Sequence, residues 1–86
     1  MLFEFDLQKS INNQKKHGID FVDGQNLFAD PHLIIAEART EDEPRYLAVG
    51  KIDNRCWSAI ITFRNDKVRL ISIRRSRPEE VAIYES

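Results

Sequence analysis

Seven basic residues, Arg55, Arg64, Lys67, Arg69, Arg74, Arg75 and Arg77, stand in the segment 55–77 against one acid, Asp66. Six of the seven are arginine. A planar guanidinium grips a phosphate through two parallel N–H donors, which an ammonium cannot do, whereas charge needed only for solubility is supplied equally well by lysine. The chemistry suggested is recognition of a phosphate-bearing polyanion. The competing reading is a row of cations guarding a sheet edge against aggregation. Metal chemistry finds no comparable pattern: Cys56 stands alone, and neither His17 nor His32 has a partner at zinc-ligand spacing. Neither a metal nor a cofactor is expected.

The net charge of the 86-residue chain, −1, hides an asymmetry. Residues 1–43 carry four basic and nine acidic side chains, and residues 44–86 carry nine basic and five acidic. A polyanion is therefore expected over the second half and repelled by the first. Hydrophobic residues at 42% and charged residues at 31% fit one ordinary folded domain, here 1–86, and exclude a disordered or collagenous chain. No apolar run approaches the ~18 residues of a membrane span, and the N-terminus has no signal-peptide pattern. The single cysteine fits a reducing, cytoplasmic setting.

These residues need elements to position them. Asp6 is a natural N-cap, Leu7 and Ile11 share a helical face, and Lys15, Lys16 and His17 precede Gly18, which suits a left-handed end. That predicts a helix over 7–17. Asp20, with Asp23 three residues on, starts a second helix that Asp30-Pro31 stops. Strands are predicted over 32–38, 45–52, 56–64 and 68–75, the last three joined by two-residue turns at Asp53-Asn54 and Asn65-Asp66. An acidic loop spans 39–44, and Pro78, Glu79 and Glu80 open a last short helix. The sum is an α+β domain: two N-terminal helices, a four-stranded antiparallel sheet with helices on one face, and a short C-terminal helix.

If Asn65-Asp66 form a two-residue loop, Arg64 faces Lys67, Thr62 faces Arg69 and Trp57 faces Arg74. The core row is then Trp57, Ala59, Ile61, Phe63, Val68, Leu70, Ser72 and Arg74. Arg74 is the charged exception at the end of that row. It must meet a carboxylate, a cleft rim or a ligand, because a buried unpaired guanidinium is too costly.

Read in order, Phe3-Glu4-Phe5-Asp6, Lys9, Asn13, Lys16-His17-Gly18, Phe21, Phe28, Asp30-Pro31, Glu43-x-Arg45, Gly50, Arg69-Leu70-Ile71-Ser72-Ile73-Arg74, Glu80 and Tyr84 resemble the BrnT toxin family over essentially the whole chain. The ordered set is more specific than any of its pieces. The resemblance implies a RelE-like fold and the toxin half of a type II toxin–antitoxin pair. It implies a metal-independent RNA endonuclease that inhibits translation and growth, held in a hetero-oligomer by a BrnA-like antitoxin. The chain departs from the family at Phe5 and Tyr46, where Trp is usual, and at Ile61, where Tyr is usual. It departs again in the last helix, where Pro78-Glu79-Glu80-Val81-Ala82-Ile83 replaces a basic run. These departures raise the alternative of a non-catalytic RNA- or protein-binding module.

RNA cleaves itself when a 2′-hydroxyl attacks the adjacent phosphate, a step helped by a base, by cations on the phosphoryl oxygens and by an acid for the leaving 5′-oxygen. The resemblance implies Arg74 as the transition-state cation; the alternative is a structural ion pair with Glu4 or Glu80. Arg64 is expected to help at the phosphate and Arg69 to bind RNA, or else both are merely exposed strand cations; Arg45 is also expected to bind RNA. His17 is the candidate for acid–base work, although the helix dipole and the left-handed turn at Gly18 explain a Lys-His-Gly run without it. Lys16 would hold phosphate, or act as a base if desolvated. Glu43 is a further base candidate or a solvated loop carboxylate. Tyr84 would stack on a base or donate a proton, or else cap the core. Trp57 is expected in the core and His32 in a turn.

Overall fold

Both two-residue turn signals are realised. Asp53 and Asn54 have φ of 50° and 66°, and Asn65 and Asp66 have 51° and 64°. Positive φ at both central positions is what lets a tight turn match the twist of its strands, and Asn and Asp tolerate it better than most residues. In the computed structural model, which describes residues 1–38 and 43–86, these turns join β3 (Arg45–Ile52), β4 (Arg55–Arg64) and β5 (Lys67–Arg75). Before them come β1 (Leu2–Phe5), α1 (Leu7–His17), a 3-10 helix (Asp23–Ala29) and β2 (Ile34–Ala38), and after them α2 (Pro78–Glu85). The acidic loop expected over 39–44 lies for the most part outside the described residues.

The expected fold needs correcting on three points. The sheet has five strands in the order β1-β5-β4-β3-β2, and it is mixed rather than antiparallel, because β1 lies parallel to β5 with Phe3 opposite Val68 and Phe5 opposite Leu70. A four-residue segment shows no usable periodicity, and its partner lies far along the chain, so local sequence could not reveal it. There is one N-terminal α-helix rather than two, since the second helical segment winds as a 3-10 helix. The expected cap is displaced: Asp20 Oδ1 accepts from the N–H groups of Val22 and Asp23 at 3.0 and 2.8 Å and so holds the turn before the helix, whose own N-cap is Val22 with no side-chain cap. The helices also do not share one face: α1 and the 3-10 helix cover one side, and α2 reaches side chains on the other.

Helix α1 matches its expected bounds, with Asp6 Oδ1 accepting from Lys9 N at 3.0 Å and Gly18 left-handed at φ 79°. It runs beside β5 where β1 has ended. The strand edge bared there is satisfied by buried Asn13, which donates to Ile73 O at 2.8 Å and accepts from Ile73 N at 3.2 Å. A side-chain amide thus replaces a missing strand.

The hairpin of β4 and β5 starts in the expected register, Arg64 opposite Lys67 and Thr62 opposite Arg69. It then slips. Ile61 faces Leu70 but Ile60 faces Ser72, so Ile71 is an extra residue in a bulge. Beyond it Ala59 faces Ile73, Ser58 faces Arg74 and Trp57 faces Arg75. The bulge turns Ile73 into the core, where it is fully buried with Phe21, Leu27, Ile61 and Leu70. Arg74 therefore does not end the core row; it stands on the opposite face of the sheet beside Ser58.

Candidate nucleic-acid interface

Alternation along the paired strands sorts the basic residues. Arg64, Lys67, Arg69 and Arg74 project to the face away from α1, as does Arg45 at the start of β3. Half-buried Leu47 and Ile60 lie between them on that face. By the same alternation Lys51 projects to this face as well, so six cations spread over residues 45–74 share one surface, although the chain as a whole is slightly acidic.

Arg74 is the most constrained of them. Its Nη1 and Nη2 donate to Glu80 Oε1 and Oε2 at 2.7 and 2.9 Å, and Nη1 also donates to Arg75 O at 3.3 Å. Pro78 and two acidic residues open α2, which sets Glu80 in its first turn. There Glu80 Oε1 also accepts from Arg77 N at 2.8 Å and from Ser58 Oγ at 2.9 Å. Ser58 gives its single proton to Glu80, so Ser76 Oγ, 2.8 Å away, is the donor to Ser58. The Arg74 hydrogen bond, opposed by burial and assisted by Arg77 N–H and Ser58, lowers the Glu80 carboxyl to about 2. The same bond raises Arg74 above the ordinary arginine value. Glu80 is therefore an anchored anion and too weak a base for proton abstraction near neutrality.

A guanidinium has five N–H donors, and the contacts to Glu80 and Arg75 use three. The remaining two, on Nε and Nη2, point together from one side and meet no acceptor among the described residues. The Arg74 side chain is 27% exposed and neither of these nitrogens is a buried atom without a partner, so this second fork is accessible to solvent. A phosphate can take it without disturbing the pair with Glu80.

The other cations are held loosely. Arg64 Nη2 lies 3.2 Å from Glu43 with both side chains largely exposed, and Arg69 Nη1 lies 3.7 Å from Glu4. Among the described residues, Arg45 and Lys67 have no carboxylate within ion-pair distance.

The remaining sequence candidates lie elsewhere. His17 and exposed Lys16 end α1, on the helical side of the sheet, so they do not converge with Arg74. Tyr84, at the far end of α2, donates to Asp30 Oδ2 at 2.5 Å, with Lys51 Nζ 5.9 Å from its ring centre. That bond pushes its hydroxyl up to about 12. Burial alone would raise Asp30, but the bonds from Tyr84 and from the N–H groups of His32 and Lys51 outweigh it and leave the carboxyl below its usual range. Gly50 makes room for this junction, since a Cβ there would meet Leu33, Leu27 and Asp30 at 3.0–3.2 Å.

Two residues escaped the sequence reading. Ser58 had a signal: a hydroxyl in an apolar strand, buried at 2% exposure, needs a polar partner. Trp57 belonged to the core row, yet it is only half-buried, with Arg75 stacked 5.5 Å from its ring centre.

Among the described residues no helix is long and apolar enough to cross a membrane. Compared with known proteins, residues 5–80 match the family model described as ribonuclease toxin, BrnT, of type II toxin–antitoxin system. No curated protein matches the chain.

Proposed function

The chain belongs to the BrnT family of ribonuclease toxins of type II toxin–antitoxin systems, and from that membership we propose that it cleaves RNA laid across the arginine face, with the scissile phosphate on the free fork of Arg74. One observation carries this: Glu80 fixes the guanidinium through one edge and leaves its other bidentate edge open. A donor already in place where charge develops needs no reorganisation during the reaction, and such groups each contribute about 10²–10³ in rate. Arg64, Arg69, Arg45 and Lys67 hold the flanking phosphates, where exchangeable surface cations suffice.

In the step itself the 2′-oxygen bonds to phosphorus and loses its proton, the P–O5′ bond breaks, and the 5′-oxygen takes up a proton. Arg74 neutralises the charge that gathers on the non-bridging oxygens. Beside it stand Ser58, Ser76 and a Glu80 held ionised, so the protein contributes mainly position and charge there. His17 and Lys16 take no part at this phosphate. Among the described residues no three His, Cys, Asp or Glu side chains are grouped to hold a metal ion, and the reaction proposed needs none. The family pairs its toxin with an antitoxin; ours is of the BrnA type, acts in the cytoplasm and silences the toxin by covering the arginine face.

The test is single-stranded RNA incubated in EDTA with the chain freed of antitoxin. Discrete fragments ending in 2′,3′-cyclic phosphate and 5′-hydroxyl are expected. Products bearing 5′-phosphate, or activity abolished by EDTA, would overturn the mechanism. Binding without cleavage would make the chain a non-catalytic RNA-binding module.

A further inference from the structure

Arg74 and Arg75 are neighbours in β5 but project to opposite sides of the sheet. Arg75 stacks over Trp57 on the helical side, and Trp57 forms one wall of a cleft of about 540 Å³. A second cleft of about 510 Å³ has Tyr84 and Lys51 in its walls. The two share Asn26, Ile52 and Asp53, so they make one groove around the β3–β4 turn. An aromatic ring topped by a cation stands at each end, Arg75 at 5.5 Å from Trp57 and Lys51 at 5.9 Å from Tyr84.

The lining selects a class of ligand. The lining is mixed in charge, Asp23, Asp30 and Asp53 standing with Arg55 and Lys51, so it offers both acceptors and donors rather than a cluster of cations for phosphate. Asp30 is engaged by Tyr84, His32 and Lys51, but the Asp23 and Asp53 carboxylates with the Asn26 amide suit a flat group that presents amino and imino hydrogens at its edge. The rings suit its faces, because stacking on an aromatic or guanidinium plane is how proteins hold splayed-out bases. Consecutive Cα atoms are about 3.8 Å apart. The phosphate site at Arg74 and the ring of Trp57 beside Arg75 therefore lie back to back at the end of β5, and a strand that occupies both turns around that end.

We propose that this groove is a nucleobase subsite, in which an unpaired base of the RNA stacks on Trp57 beside the phosphate held by Arg74. The inference rests on the reading of the arginine face as the RNA surface, and it goes further by giving the bases a separate place. It also gives Tyr84 a second stacking position at the far end of the groove.

Trp57 is the only tryptophan, so its emission reports on the groove directly. The experiment titrates the chain with an end-labelled, cleavage-resistant 2′-O-methyl RNA. Label anisotropy is followed for overall binding and Trp57 fluorescence for the groove, with an abasic strand of equal length alongside. Quenching of Trp57 that follows the anisotropy curve is expected, with none from the abasic strand. Trp57→Leu should weaken binding about tenfold, the loss of one stacked base, and Arg75→Ala should weaken it less while leaving the fold intact. Binding by anisotropy with unchanged Trp57 emission would overturn the subsite and leave the arginine face standing. No anisotropy change with any strand would overturn both.

Discussion

Arg74 and Arg64 occupy the same hairpin and the same face, yet they are held in opposite ways. Arg74 makes two contacts at 2.7 and 2.9 Å to a carboxylate whose side chain is 10% exposed. Arg64 makes one contact at 3.2 Å to a carboxylate that is 42% exposed. The first arrangement fixes a guanidinium in space and the second leaves it free to exchange partners. A fixed cation stabilises charge that appears at one place, and an exchangeable one follows a flexible backbone. The difference teaches that positive charge on a sheet is not a single property: Glu80 makes Arg74 a positioned group, while Arg64 remains an exchangeable one.

The sharpest way to break this comparison is Arg74→Lys. Lysine keeps the charge and a contact to Glu80 but has no second fork. Cleavage should fall about 10²–10³-fold while the thermal midpoint shifts by only a few degrees. Next in size is Glu80→Ala, which leaves Arg74 unpaired together with Ser58 and the N–H of Arg77. Breaking a buried pair costs about 3–5 kcal/mol. Because Arg74 is partly solvated, the lower end or less is expected, measured by urea unfolding.

The same pair predicts an acid limit. The folded Glu80 carboxyl lies near 2, below the 4.5 of an unperturbed glutamate, so its contribution to stability is full above about pH 4.5 and is lost as the pH falls toward about 2. Unfolding curves over that range should slope for the native chain and flatten for Glu80→Gln. The smallest effects belong to the exposed pair: Arg64→Ala should change stability by less than about 1 kcal/mol. Its effect should show instead as weaker RNA affinity and a shallower dependence on salt.

The sequence made some of this legible and left other parts hidden for identifiable reasons. Helix α1 was readable because Asp6, the Leu7–Ile11 spacing and Gly18 act locally. Both hairpins were readable because Asp53-Asn54 and Asn65-Asp66 favour positive φ. Strand β1 was not, since four residues pairing with β5 across the chain leave no local pattern. The bulge was not, because Leu70-Ile71-Ser72-Ile73 offers an isoleucine to the core in either register, and only packing decides which. Arg74 was singled out as a charge that needed a partner, and Glu80 is that partner, although the bulge places both on the face opposite the core. Trp57 was hidden by its apolar neighbours, which make a half-open ring look like a buried one.

The most direct test of the account is single-turnover cleavage of one labelled RNA, with affinity measured in parallel, for Arg74→Lys and Arg64→Ala against the native chain. The account predicts a division: Arg74→Lys binds nearly as the native chain does but cleaves at least about 100-fold more slowly, while Arg64→Ala binds more weakly and cleaves its bound RNA at the native rate. An Arg74→Lys chain that cleaves bound RNA as fast as the native one would contradict it.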